Sequence, residues 1–572
     1  MGSAVTDFFD SLIHLDGAWV WLWHTLLFIA IWTAELFVIQ AITLVSPQEN
    51  SPRFLRWAPR IRLLMDLAFV TALVMLLPPI ALAVVSVIVF FVHLGLLSHY
   101  QYFLRPLSAL TMFTNWREGV TTGGYTFFRQ PRRPFLVLGT VLAVKLLRLW
   151  DLHWGGTPHP SSEVLWAVGI TAAIAYLGLV ALASYLDPLS KIRTTRGLGR
   201  LGLIRGYFIT WLAEFYYLGR QEVLTSALRQ REIVQDKLTP IEAAIPIRDR
   251  LVIIQAESFD YSVLGCEVNG EEVTPFLNRL RQRSLFYRIA AARYLGSADA
   301  DFVMLAGVMP SLHMITYNIP NYPYENTLPQ FLSQYGYRTS AFHGNTGNFY
   351  NRRTAFERMG FAEIHFLEEM MRRDGLQATS WGIDDRSVLR LSAERMKNAV
   401  GRACHFIITL TTHTPYTYLA ANECELYPKP QTIVQSFLNN MRYLDRRLEE
   451  YIGSLPSATV VIYSDHPADS AVASEFKPRA EGVEEFVPCF IIDTETDLGA
   501  VQQTRSERIS RDGSLTLLDI SSYLRAQVAH QKKSALNNGA SNCAGDGAKN
   551  GAPQTNGSAA PLREPEKATG GE

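Results

Sequence analysis

The chain has 572 residues, more than one ordinary domain holds, so two or three domains are expected. Its 53 Lys and Arg balance 53 Asp and Glu, so nothing points to a polyanion such as nucleic acid as a partner. Five cysteines in no CxxC or Cys/His spacing offer no zinc-finger pattern.

The 48% hydrophobic content is concentrated at the start. Residues 18–45 carry a single charge, Glu35, and are long enough to cross a bilayer. Two more apolar stretches lie in 63–99, hinged at Pro78-Pro79, and further ones at 135–150 and 164–186. The 135–150 stretch is interrupted by Lys145 and Arg148. The expectation is a five-helix transmembrane domain over 1–190, with no signal peptide, because no basic n-region or A-x-A-like site flanks the first span. Lys and Arg cluster at 53–62, 105–133 and 191–205, which by the positive-inside rule puts the chain after the fifth span in the cytoplasm. Residues 201–224 are apolar, aromatic and sparsely charged, which suits an interfacial helix better than a sixth span. The segment 191–249 then reads as this helix plus a linker.

Between 250 and 530 the pattern alternates. Strands are expected at 251–256, 337–342, 405–410, 459–464 and 486–492, with helical patterns between them. This is an α/β domain with a largely parallel central sheet. From 531 the chain is rich in Gly, Asn, Ala and Ser, has almost no large apolar residue, and reads as disordered. Cys404 and Cys489 sit in apolar runs; Cys266 and Cys424 could pair in an oxidising compartment.

Ligands of parallel sheets bind beyond the carboxyl ends of the strands. There the sequence places Glu257, His343, Asn345, His413, Asp465 and His466. Carboxylates and imidazoles gathered on one sheet edge are the usual ligands of Mn²⁺, Zn²⁺ or Mg²⁺. Ser297 opens a helical pattern with Asp299 and Asp301 in its first turn. One reading is an ordinary Ser N-cap with acids complementing the helix dipole. The other is a hydroxyl activated by a helix terminus and a metal as a nucleophile.

The phrases QAESFD, VTPFLNRL, GSADADF, FHGNTGNFYNRR, TTHTPY and YSDH occur in the order seen in lipoteichoic acid synthases. Over residues 250–495 the chain resembles those enzymes and the related phosphoglycerol transferases of the alkaline phosphatase/sulfatase superfamily. The resemblance implies one divalent metal, typically Mn²⁺, held by Glu257, Ser297, Asp465 and His466, with Ser297 as catalytic nucleophile. It also implies substrate binding by His413, Arg352 and Tyr350, with His343 and Asn345 alongside. Asn345 stands where those synthases have Asp, and Tyr350 where they have Trp. The implied reaction moves phosphoglycerol from phosphatidylglycerol to a glycan or polyglycerol-phosphate acceptor. The implied setting is the bacterial cytoplasmic membrane with the domain outside, against the charge count. Phosphoethanolamine transfer, phosphodiester hydrolysis and a catalytically silent membrane scaffold are the alternatives.

Overall fold

Alternation along each central strand decides the architecture. In β1 (Arg250–Ala256), Leu251 and Ile253 enter one hydrophobic core, while Val252, Ile254 and Ala256 enter another. In β8 (Thr459–Ser464), Val461 and Tyr463 share the first core and Val460 and Ile462 the second. A strand apolar on both faces must be covered on both, which requires a helix–sheet–helix sandwich.

The computed structural model describes residues 2–43, 54–103, 132–154, 160–186, 244–291, 295–311, 314–379, 382–414, 416–468, 486–499 and 515–545, with shorter pieces between 206 and 241 and single positions elsewhere. Its seven-stranded sheet also contains β4 (Leu285–Ala290), β5 (Tyr337–His343), β6 (Glu363–His365), β7 (Arg402–Ile408) and β9 (Phe486–Asp493). The order is β4-β9-β8-β1-β7-β5-β6. β8, β1, β7, β5 and β6 pair in parallel, and β9 runs antiparallel to both β8 and β4. A separate small hairpin pairs β2 (Glu267–Val268) with β3 (Glu271–Glu272).

Five long helices precede the domain: α1 (Gly2–Thr43), α2 (Phe54–Leu76), α3 (Pro79–Phe103), α4 (Arg132–Trp154) and α5 (Ser162–Leu186). Among the described residues, three stretches are long and apolar enough to cross a membrane: Trp19–Thr43, Pro79–Leu97 and Ser162–Ala181. Five spans are expected from the sequence, and these three have the length and apolarity for one. α2 and α4 carry more charge, with Arg56, Arg60, Arg62 and Asp66 in one and Arg132, Arg133, Lys145, Arg148 and Asp151 in the other. Several of these charges turn inward. Arg62 pairs with Asp66, which also accepts from Gln40 at 3.2 Å. Glu35 accepts from Lys145 at 2.5 Å and lies 2.8 Å from His93, joining α1, α4 and α3. Removing one partner of a buried pair strands the other charge, so Lys145→Met is expected to destabilise the protein by roughly 3–5 kcal/mol. Adding Glu35→Gln should recover most of that loss. Thermal unfolding of the detergent-solubilised protein reads both.

The soluble domain places its helices on the two sheet faces. The first core takes α7 (Ala298–Ala306), α8 (Leu328–Gln334), α9 (Arg352–Arg358) and the start of α13 (Leu517–Gly545). The second takes α6 (Pro275–Arg283), α11 (Asp385–Lys397) and α12 (Ile433–Ser454), with Met370 of α10 (Leu367–Arg373). Val223, from the segment expected to lie at the membrane interface, and Ala227 just beyond it also join the first core. Phe208, Leu212, Phe215 and Tyr216 from the same segment are exposed.

Three expectations need correction. β4 and β6 were not legible as strands, since Arg288 breaks the apolar run of one and the other has only three residues. The strand expected at 405–410 starts earlier, at Arg402. The tail read as disordered from 531 instead continues as helix to Gly545; residues 546–572 lie outside the described residues. Cys266 and Cys424 are not joined to each other in a disulfide.

Candidate active site

Strand register brings the two carboxylates together. Ala256 of β1 is paired with Ser464 of β8, so the next residues on the neighbouring strands are Glu257 and Asp465. Asp465 divides its two oxygens. Oδ1 accepts the backbone N–H groups of Ser258 and His466, each at 2.9 Å. Oδ2 is buried without a hydrogen-bond partner and lies 3.4 Å from His466 Nε2. An unsatisfied buried carboxylate oxygen is costly unless something positive completes it.

His466 is oriented to match. Its Nδ1 donates to the Pro467 carbonyl at 2.7 Å, which puts the Nε2 lone pair toward the gap. From Nε2, Glu257 Oε1 and Ser297 Oγ are each 3.3 Å away. Donor atoms about 2.0–2.2 Å from a tetrahedral ion stand about 3.3–3.6 Å apart, so these separations have the span of one shared cation. Glu257, Asp465 and His466 are buried, with candidate ligand atoms all within 4.8 Å of one another. The residues therefore fit a divalent metal on two grounds, the donor set and the orphaned Asp465 oxygen.

The electrostatics of the two carboxylates diverge. Burial works to raise Glu257, but hydrogen bonding and charge from His466, with charge from His413, hold it well below the ordinary range. Burial and the neighbouring Glu257 charge push Asp465 up to about 7. Two buried carboxylates at this separation do not both ionise easily without a cation.

Ser297 occupies the N-cap position of α7 but is no cap. Its φ and ψ of −59° and −28° are already helical, and its side chain makes no capping hydrogen bond. The hydroxyl turns instead toward His466. Asp299 takes over the local bonding, with Oδ2 accepting the N–H groups of Leu295 and Gly296 at 2.6 and 3.2 Å.

The remaining expected residues surround this centre at different depths. His413 is partly buried, with Nδ1 donating to the Thr414 carbonyl at 2.6 Å. Its loop is fixed by Asp385, whose carboxylate accepts from Leu410 and Thr411 at 2.8 and 2.9 Å, and by Asn440, which donates to the Thr411 carbonyl at 2.7 Å. His343 is 3% exposed and bonds the Ile408 carbonyl through Nδ1 at 3.1 Å. Burial, followed by the Arg352 charge, pushes His343 down to about 3, so it is neutral near pH 7. Gly344 is required beside it: a Cβ there would stand 2.2 Å from the Ile383 carbonyl oxygen. Asn345 is partly buried and its Oδ1 accepts from Thr346 N at 2.7 Å, so the amide is used in part within its own turn. Tyr350 stands against the loop before Ser297, its hydroxyl 2.7 Å from where a Cβ on Gly296 would be. Arg352 is 2% exposed and donates through Nε to Asp301 Oδ2 at 2.7 Å.

Thus Glu257, Ser297, Asp465 and His466 converge on one point. Tyr350 and Arg352 meet the helix that Ser297 begins, at Gly296 and Asp301. Asp301, Asp385 and Asn440 were not singled out for these contacts, because each acts across elements far apart in the chain.

Residues 249–512 match the family model described as Sulfatase. A lipoteichoic acid synthase-like protein of Bacillus subtilis is 25% identical over 249 residues, covering 42% of this chain and 40% of that protein. The lipoteichoic acid synthase of Staphylococcus saprophyticus is 27% identical over 265 residues, covering 44% and 40% respectively. The chain thus spans about two fifths of the length of these relatives. Among solved structures, the lipooligosaccharide phosphoethanolamine transferase A of Neisseria meningitidis aligns over 86% of this chain and 92% of its own, at 13% identity and a TM-score of 0.49. Over residues 249–512 the chain is thus similar to the sulfatase family.

Proposed function

We propose that the protein is a membrane-anchored phosphotransferase that moves phosphoglycerol from phosphatidylglycerol to an extracytoplasmic acceptor hydroxyl. The observation that carries this reading is the convergence of Glu257 Oε1, Asp465 Oδ2 and Ser297 Oγ around His466 Nε2 at 3.3–3.4 Å. A divalent cation held by Glu257, Ser297, Asp465 and His466, with Mn²⁺ the first choice, would stabilise charge on the phosphoryl oxygens and lower the pKa of the serine hydroxyl.

The residues of the chain then divide the work. Ser297 Oγ forms a bond to phosphorus, the bond from phosphorus to the diacylglycerol oxygen breaks, and that oxygen leaves with a proton. An acceptor hydroxyl next attacks the phosphoglycerol–Ser297 ester and releases the serine. Arg352 and His413 face the phosphate, and Tyr350 offers the glycerol an aromatic face with a hydroxyl. The acceptor class is a glycan or a polyglycerol phosphate. Anchoring raises the effective concentration of a donor that never leaves the bilayer. The exposed Phe208, Leu212, Phe215 and Tyr216 suit the headgroup boundary beside it. The setting follows the resemblance: a cytoplasmic membrane with the catalytic domain outside.

A silent scaffold has no use for a buried, unpaired Asp465 oxygen. The competing reading within the superfamily is transfer of phosphoethanolamine, or simple hydrolysis with water as acceptor. Vesicles with headgroup-labelled phosphatidylglycerol or phosphatidylethanolamine separate these. The expected result is faster diacylglycerol release from the glycerol lipid, because neutral Asn345 supplies no carboxylate for an ammonium; faster release from the ethanolamine lipid would overturn the donor assignment. In the same assay Arg352→Lys is expected to lose bidentate contact worth roughly 1.5–3 kcal/mol, or about ten- to a hundredfold in rate.

A further inference from the structure

Asp301 lies one helical turn after Ser297 on α7 and is fully buried. It meets Arg352 through a single bond, Nε to Oδ2 at 2.7 Å, rather than through a two-pronged fork. The guanidinium is thereby gripped at one edge. Its Nη2 is buried and has no hydrogen-bond partner. A planar guanidinium held by Nε keeps its opposite edge available for the paired oxygens of a phosphate.

The backbone before Arg352 is shaped to deliver it. Tyr350 and Asn351 have φ of 54° and 58°, a left-handed conformation that residues other than glycine seldom adopt. Asn351 is tied there by donating to the Tyr317 carbonyl at 2.9 Å. The Tyr350 ring lies 5.4 Å from the Arg352 guanidinium, and its hydroxyl abuts Gly296. The segment therefore touches the nucleophile's helix at two points, just before Ser297 and one turn after it.

We propose that Asp301 is a positioning residue for the transfer reaction, fixing the Arg352 guanidinium at a set distance from Ser297 so that it grips the donor phosphate in line for attack. This rests on the reading of Arg352 as the phosphate clamp. A buried ion pair is a weak source of stability compared with apolar packing. Its place here is accounted for by geometry: the group that attacks and the group that holds the target hang from one turn of helix.

The test uses the full-length protein in phosphatidylglycerol vesicles, with diacylglycerol release, manganese content and unfolding temperature measured together. Asp301→Asn removes the charge that aims the guanidinium. It is expected to lower kcat about tenfold or more with KM changed less, and to leave manganese occupancy unchanged. Arg352→Lys is expected to lower kcat as well, and the double variant should be no slower than Arg352→Lys alone, since both changes remove one interaction. Should Asp301→Asn fail to fold, Asp301→Glu, which shifts the charge by one methylene, carries the same expected kcat loss. Asp301→Asn or Asp301→Glu within twofold of wild type, or losses that multiply in the double variant, would overturn the positioning role. Unchanged turnover in Arg352→Lys would instead overturn the clamp itself, so the two failures are told apart.

Discussion

Ser297→Ala is expected to reduce diacylglycerol release by on the order of 10⁴-fold or more, while the protein still folds. The size follows from the role: without Oγ there is no atom to form the covalent ester, and water is a poorly placed substitute. The intact fold follows from the geometry. The hydroxyl makes no capping bond to α7, so its removal leaves no backbone donor unsatisfied, and stability should change by less than about 1 kcal/mol. An ordinary N-cap would behave in the opposite way, losing stability rather than turnover. Unfolding temperature and initial rate, measured on one preparation, separate the two.

Asp465→Asn is expected to lose metal and activity together, with affinity for manganese weakened by about a hundredfold or more. The amide can keep the two backbone bonds that Oδ1 now accepts, so the sheet edge should survive. What changes is the other atom, where an N–H₂ would point protons into the place of a cation. The same residue sets a pH dependence in the wild type. Asp465 without metal is pushed up to about 7, so above that pH it no longer holds a proton against the metal. Below it, metal must displace that proton, which lowers affinity by up to about tenfold per pH unit in addition to any proton displaced from His466. Glu257, held well below the ordinary range, stays ionised throughout and adds no slope. Metal titration of the purified protein at a series of pH values reads this directly.

The parts of this fold that were legible in the sequence are those with strong local signatures. Three central strands, β1, β7 and β8, announce themselves as apolar runs with β-branched residues, and their polar successors fall on one edge because parallel neighbours end together. The Glu257–Asp465 neighbourhood is a direct consequence of register, which needs no knowledge of the loops. Other features resisted reading for physical reasons. β6 is too short to carry a period, and β4 has Arg288 within its apolar run, stacked 3.9 Å over the Phe486 ring of its partner strand. Asp299 and Asp301 looked alike as helix-dipole acids, yet one ties down the loop before Ser297 and the other holds Arg352 from 51 residues away. Charged residues in α2 and α4 interrupt the apolar pattern of those helices. Their inward partners Gln40 and Glu35 lie on α1, where only the folded bundle reveals them.

The central claim is that Ser297 carries phosphoglycerol covalently between donor and acceptor. Mass spectrometry of the full-length protein, incubated with manganese and phosphatidylglycerol and without acceptor, tests it most directly. The predicted result is one added phosphoglycerol unit, located on the peptide containing Ser297 and absent after chelation. Diacylglycerol release with no adduct at Ser297, or an adduct on another residue, would contradict it.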